Sequence, residues 1–285
     1  MTDVASTQPR RQRYRGMRVL EVLRVQDITP LMRRVTLGGA EIDGIPEGPN
    51  LKLVIQPPGA TDLVWPVRGA DGKPAMPDGR PMLTTRTYSL RRLDRAAGEL
   101  DVDFVLHGHG IACKWAQDAR PGDRIGIGGP GGPEVREADW YLLAGDQTAL
   151  PAISRILEQL PPHAKGVALI QVPNRSEEQP LDHPPGISLH WLHSDDGHVF
   201  EDAVRSLAWP SDVKVYVWMA GESTIVRSLR SYVREEKKLG KKDFLAIGYW
   251  RKGLSEPEYH EKFDHDRGED FYEAIRHELE HSHDQ

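Results

Sequence analysis

The segment Thr85-Arg86-Thr87-Tyr88-Ser89-Leu90 closes a stretch rich in proline and glycine and opens a run of alternating polarity. Its residue types suit one kind of ligand. A guanidinium fork pairs with a pyrophosphate, an aromatic face covers a flat heteroaromatic ring, and a small hydroxyl reaches a ring nitrogen, so Arg-x-Tyr-Ser reads as a grip on a flavin nucleotide. On an extended strand Arg86 and Tyr88 share a face, while Ser89 points the other way unless the strand bends. An ordinary surface strand bearing an Arg and a Tyr is the alternative reading of so short a pattern.

Further along, Val102-Asp103-Phe104-Val105-Leu106-His107 runs into Gly108 and Gly110, and a short helix is expected to begin near Ile111. The first amides of a helix have no partner within it, so Ile111, Ala112 and Cys113 could bind a pyrophosphate through backbone N–H groups while Arg86 approaches from the side. Trp115 either packs on the cofactor or fills the end of the domain. His107 is equally open between a structural and a functional role. Cys113 is the chain's one cysteine, which excludes an internal disulfide and any cysteine-only metal cluster; redox chemistry here would need an organic cofactor.

Two other motifs are decoys. Gly126-Ile-Gly128-Gly-Pro130-Gly131 satisfies G-x-G-x-x-G, but Pro130 and Pro133 bar the helix that a dinucleotide site requires, so a turn at a strand end is expected. His277-Glu278-Leu-Glu-His281 satisfies H-E-x-x-H in an acidic terminal stretch with no third ligand downstream, and a solvated helix is expected there. No metal site is expected.

The elements that must position these residues fall into two rhythms. Met17 to Asp27, Met32 to Leu37, Leu51 to Gln56, Thr85 to Arg91, Glu99 to His107 and Asp123 to Gly128 read as six short strands without long helices, which predicts an antiparallel six-stranded β-barrel over residues 15–136. Pro57 to Pro81 is a long excursion between two of them. From Trp140 the pattern changes. Apolar strands at 140–146, 167–172, 187–193, 213–220 and 244–250 are interleaved with amphipathic helices at 148–160, 198–208 and 222–239, which predicts a doubly wound parallel sheet over residues 137–285 with ligands at the carboxyl ends of its strands. An acidic helical tail is expected from about residue 254.

The chain has 285 residues, 38% of them hydrophobic, and a net charge of −6. The acidity is concentrated at the end: residues 253–285 hold 11 acidic and 3 basic residues, so the remainder is close to neutral and can carry a basic pocket for an anionic substrate. With no apolar run of membrane length and none near the start, a soluble, cytoplasmic protein without membrane partners is expected. The arginines from Arg10 to Arg18 are too few and too poor in aromatic company to predict nucleic-acid binding, and a monomer is expected.

Taken together, Arg86-Thr-Tyr-Ser89, Asp103-Phe-Val-Leu-His107-Gly, Ala112-x-x-Trp115-Ala, Pro121-Gly-Asp123, Gly129-Pro-Gly-Gly, Ala144-Gly-Asp-Gln-Thr148-Ala-Leu-Pro-Ala152, Ala220-Gly-Glu222 and Gly248-Tyr-Trp-Arg251-x-Gly resemble, in order over about residues 17–254, the siderophore-interacting protein family of flavin reductases within the ferredoxin–NADP reductase superfamily. Ile111 stands where that family often has Pro, and Gln147 where it often has Glu.

The resemblance implies FAD held by the barrel, NADH or NADPH received by the second domain, and reduction of ferric siderophores to release Fe(II). It implies that Arg86 grips the pyrophosphate, Tyr88 packs on the isoalloxazine and Ser89 bonds near its reactive nitrogen. Asp103 and His107 would line the ribityl or adenine side, with Thr87, Phe104, Val105, Ile111, Ala112, Cys113, Trp115 and Trp250 completing the cofactor wall. Ser89, Asp146 and Thr148 would stand nearest the chemistry, and Lys52, Arg251 and Lys252 would meet the anionic chelate. Arg175 would lie where a 2′-phosphate is recognised, whereas Glu177 and Glu178 argue for NADH. A flavoprotein reductase for another acceptor, or a flavin-binding sensor without activity, are the alternative classes.

Overall fold

The computed structural model describes residues 17–254, apart from 58, 72, 108 and 109, together with 258 and 259. The basic arm up to Arg15, the tail helix and the His277/His281 pair lie outside the described residues.

The first half contains β1 (Met17–Thr29), β2 (Met32–Gly38), β3 (Asn50–Ile55), β4 (Val67–Arg68), β5 (Pro74–Ala75), β6 (Thr84–Ser89), β7 (Arg92–Asp94), β8 (Glu99–Val105), α1 (Ile111–Asp118) and β9 (Arg124–Gly131). Strands β4 and β5 form a separate ribbon inside the long excursion, and the other seven make one antiparallel sheet in the order β6-β3-β9-β1-β2-β8-β7. Its two edge strands, β6 and β7, are joined by Leu90 and Arg91 alone, so the sheet must curl until its edges come together; the Arg91 amide donates to the Asp101 carbonyl (3.0 Å), continuing the β7–β8 ladder into this connection. The expected six strands are thus seven. Strand β7 is three residues long and carries Arg92 and Asp94, too short and too polar to register as an alternating run.

Period two sends successive side chains of β8 to opposite faces of the sheet. In β8, Leu100, Val102 and Phe104 are at most 1% exposed and meet Leu20, Val35, Leu51 and Ile127 inside the barrel. Glu99, Asp101 and Asp103 fall on the opposite face, where the register sets Asp103 against Arg34 and Asp101 against Arg92. Cross-strand pairing of opposite charges converts that outer face into a ladder of ion pairs.

The second half contains β10 (Trp140–Gly145), α2 (Leu150–Gln159), β11 (Lys165–Val172), β12 (Gly186–His193), α3 (Gly197–Arg205), β13 (Val215–Glu222), α4 (Ser223–Ser231) and β14 (Phe244–Trp250). Its strands are parallel in the order β12-β11-β10-β13-β14; β10, β11, β13 and β14 are mostly buried on both faces, as their apolar runs require, whereas the edge strand β12 is largely exposed or half-buried. The helix expected over 222–239 stops being α-helical at Ser231 and continues as a π turn over Tyr232–Glu236.

The domains are docked at two places. Met32, at the tip of the β1–β2 hairpin, is fully buried in the core of the second domain. On the other side Arg155 of α2 donates to the carbonyls of Gly48 (2.8 Å) and Leu90 (3.2 Å), and Arg91 pairs with Glu158 (2.6 Å).

Candidate functional site

Between the barrel and the carboxyl ends of the parallel strands lies a cavity of about 1350 Å³. That exceeds the roughly 300–1,000 Å³ of a drug-sized ligand and suits a dinucleotide with part of a second. The topology explains its place, because β10 and β13 diverge to α2 and α4 on leaving the sheet and open a crevice at their carboxyl ends.

Strand β6 supplies one wall. Its register with β3 places Thr87 opposite Lys52, Tyr88 opposite Leu51 and Ser89 opposite Asn50, so a cation lies beside the Arg-x-Tyr-Ser segment. Arg86, Thr87, Tyr88 and Ser89 all line the cavity, as do Val105 and His107. Phe104 and Trp115 do not. Phe104 is 1% exposed in the barrel core, packed against Tyr88 with the rings tilted by 40° (4.6 Å between ring centres), and Trp115 lies behind it (5.8 Å). These two rings therefore back Tyr88 from the barrel side.

Helix α1 begins at the cavity. Gly110 precedes it with φ +83, a conformation in which an L side chain is strained, and no side chain caps the helix. The first intrahelical bond runs from the Lys114 amide to the Gly110 carbonyl (3.0 Å), which leaves the amides of Ile111, Ala112 and Cys113, all cavity-lining residues, as anion donors. Asp103 also lines the cavity, but Arg34 takes both of its oxygens (2.7 and 2.8 Å), and Arg91 stands 3.9 Å away. That hydrogen bond raises the Arg34 guanidinium above its ordinary pKa.

The far wall is organised by Asp146. Its Oδ1 accepts from the Thr148 amide (2.9 Å) and hydroxyl (2.5 Å), and its Oδ2 from the Glu222 amide (2.9 Å) and Trp250 Nε1 (2.7 Å). Burial pushes the Asp146 carboxyl above the usual carboxylate range, and the bonds from Thr148 and Trp250 pull against it. One side chain thereby ties together the ends of β10, β13 and β14. Gly221 makes room for it: its φ is +148, and a Cβ there would stand 2.6 Å from Asp146 Oδ2. Asp146 closes the turn before α2 but does not cap the helix, whose N-cap is Ala149. Glu222 caps α4 instead, accepting from the amides of Thr224 (2.6 Å) and Ile225 (3.2 Å), and its other oxygen holds the Lys252 amide (3.2 Å). Lys52, Arg251 and Lys252 all line the cavity, with both lysines exposed.

Three features escaped the sequence reading. Gly128 to Gly132 line the cavity from the end of β9, so the glycine-rich run shapes the site without the helix of a dinucleotide motif. Tyr259, 1% exposed, lines it beside Gly248, where a Cβ would collide with the tyrosine hydroxyl. Glu177 is fully buried at the domain interface and Glu178 pairs with His193 (2.7 Å), so Glu177 does not face a nucleotide ribose.

Comparison with known proteins gives the same two parts. Residues 21–134 match the family described as siderophore-interacting FAD-binding domain, and residues 138–253 match the siderophore-interacting protein family. The ferric vibriobactin reductase ViuB of Vibrio cholerae is 34% identical over 255 residues, 86% of this chain and 93% of that protein. The chain belongs to the siderophore-interacting protein family. The NADPH-dependent ferric-chelate reductase of Escherichia coli is 31% identical over 241 residues, covering 82% of this chain and 92% of its own. Among solved structures, the siderophore-interacting protein SipS from Aeromonas hydrophila aligns with a TM-score of 0.76 at 33% identity, over 86% of this chain and 96% of that one. The family's cofactors are FAD and NAD(P)H, and the donor set present here fits them: uncapped helix amides and Arg86 for a pyrophosphate, a backed tyrosine for a ring, and a crevice at parallel strand ends for a second nucleotide. Among the described residues no helix is long and apolar enough to cross a membrane.

Proposed function

We propose that this protein is a cytoplasmic FAD-dependent reductase that takes electrons from NAD(P)H and passes them to the iron of ferric siderophores. The observation that carries the reading is the single cavity shared by the α1 amides and β6 of the barrel, the ends of β10 and β14, and the cations Lys52, Arg251 and Lys252. When bound, FAD converts the two-electron hydride of the nicotinamide into single electrons for Fe(III). Hard oxygen ligands favour Fe(III) over Fe(II), so reduction releases the metal without any permanent iron ligand on the protein.

The chain's own residues bind and orient. Arg86 and the amides of Ile111, Ala112 and Cys113 hold the pyrophosphate; Tyr88, braced by Phe104 and Trp115, packs on the flavin ring, and Ser89 bonds at its edge. Thr87, Val105 and His107 complete the wall, while Asp103 acts through Arg34. Asp146 and Thr148 hold the donor crevice open with Trp250 at its rim. Lys52, Arg251 and Lys252 receive the anionic chelate. Arg175, exposed two residues beyond the cavity-lining Pro173, favours NADPH as donor, a lean that equal kcat/KM with NADH would remove.

The test has three steps. The purified protein should be yellow, anaerobic NADPH should bleach it, and a ferrous trap should then report Fe(II) from ferric catecholate, hydroxamate or carboxylate chelates. Bleaching without Fe(II) from any class would move the protein to another acceptor, and a colourless protein that binds no added FAD would overturn the reading.

A further inference from the structure

Glu177 is the most deeply buried carboxylate in the described chain, at 0% exposure, and it belongs to neither wall of the cavity. Its neighbours come from both domains. Oε2 accepts from the Thr29 hydroxyl (2.5 Å) and from Gln147 Nε2 (2.8 Å), and the Leu31 amide is shared between the two carboxylate oxygens (3.1 and 3.2 Å). Thr29 and Leu31 flank the turn of the barrel's β1–β2 hairpin, whereas Gln147 lies between Asp146 and Thr148 in the turn that shapes the donor crevice. Thr29, Leu31 and Gln147 are all neutral donors. Its acceptor oxygens join donors from both domains, and leaving any of these donors unpaired inside the interface is costly, so the side chain fixes how the two segments sit together.

Asn174 fixes the single turn that carries Glu177 by accepting from the Ser176 amide (2.9 Å) and hydroxyl (2.6 Å). Met32, next to Leu31, is sunk in the second domain's core. Leu31 and Gln147 themselves line the cavity, one from each domain, with Glu177 directly behind both. A Glu at position 147 would set two carboxylates against each other, so Gln147 and Glu177 are a matched donor and acceptor in this chain.

We propose that Glu177 is a positioning residue which clamps the barrel's hairpin tip to the β10–α2 turn and thereby sets the separation across which the hydride passes, one proton and two electrons leaving the nicotinamide for the flavin. The proposal rests on the reductase reading above. Misplacement of reacting atoms by about 1 Å costs on the order of 100-fold in rate.

The experiment uses the flavin-loaded protein and three variants: Glu177→Gln, which turns an amide N–H toward donors, Thr29→Val, which removes one bond from the barrel side, and the swap Glu177→Gln with Gln147→Glu, which exchanges donor and acceptor. Two rates are measured separately in anaerobic stopped flow, flavin reduction by NADPH and reoxidation by ferric citrate, together with hydrogen exchange at residues 27–33 and 146–150. Glu177→Gln should slow reduction by roughly 10- to 100-fold at saturating NADPH and Thr29→Val by several-fold, with reoxidation within twofold of wild type. Exchange at both segments should quicken, and the swap should recover most of the loss in each readout. Faster exchange with an unchanged reduction rate would overturn the proposal by making the clamp merely structural, as would equal slowing of both half-reactions or a swap that recovers nothing. If wild type itself is not bleached by NADH or NADPH, the reductase reading fails; the exchange data then still report whether Glu177 joins the domains.

Discussion

Replacing Asp146 by Asn should separate a structural pin from a proton-handling group. The carboxylate has two acceptor oxygens and serves four donors, two on each oxygen. Asparagine keeps one acceptor. If its oxygen stays with Thr148, the amide N–H groups face the Glu222 amide and Trp250 Nε1, and both donors lose their partner; the flipped rotamer transfers the loss to Thr148. Each unmade bond of this kind costs about 1–3 kcal/mol. Trp250 is 40% exposed, so its indole can turn to water and its share lies at the low end. The sum is roughly 2–4 kcal/mol, which for a protein of this size lowers Tm by about 5–15 °C. Trp250→Phe removes one bond and should cost about 1 kcal/mol, and the double variant should cost less than the sum because the shared bond is lost only once. Calorimetry and urea titration read the stability, with NADPH-driven flavin bleaching read in parallel. An Asp146→Asn protein within about 0.5 kcal/mol of wild type would refute the pin. So would unchanged stability with abolished hydride transfer, which would make the carboxyl a participant in the chemistry.

Further outcomes follow from the same geometry. Gly221→Ala should destabilise by at least about 2 kcal/mol in urea, since the new methyl meets Asp146 Oδ2 in a backbone conformation costly for any L side chain. Glu99 is held at a pKa of about 2 by hydrogen bonds from Arg24 and Arg92. A depressed carboxyl adds stability that is present above its ordinary value near 4.5 and is lost as pH falls toward 2, so the Tm of wild type should drop across that window more steeply than that of Glu99→Gln, and added salt should narrow the difference. Arg86→Lys keeps the charge but loses the fork, and FAD affinity measured by fluorescence titration should fall by at least about tenfold. Lys52→Ala and Arg251→Ala should raise KM for an anionic ferric chelate and weaken its salt dependence while leaving NADPH-to-dye transfer intact; loss of both activities together would remove these residues from the chelate site.

Much of this protein is written locally. Alternation in Glu99 to Val105 separates the barrel interior from the opposite face before any partner is known, and the helical spacing of Leu150, Ile153 and Leu157 marks the buried face of α2. The Arg86 to Ser89 segment and the glycines before Ile111 were legible because their chemistry resides in adjacent residues. Partnership over long distances was not. Nothing near Asp103 in the sequence points to Arg34, 69 residues away, which pairs with both its oxygens, and nothing near Phe104 points to its place behind Tyr88. The closing of the barrel depends on two edge strands that are neighbours in sequence, one of them too short to show a period. Glu177 looks like a nucleotide-facing acid beside Arg175, yet it meets Thr29 across 148 residues and disappears into the domain interface. Burial of an alternating face is decided by a few neighbouring side chains, so sequence alone determined most of the elements and the order of the two halves. Which oxygen receives which donor depends on how two separately folded domains dock, and only the tertiary structure could decide it.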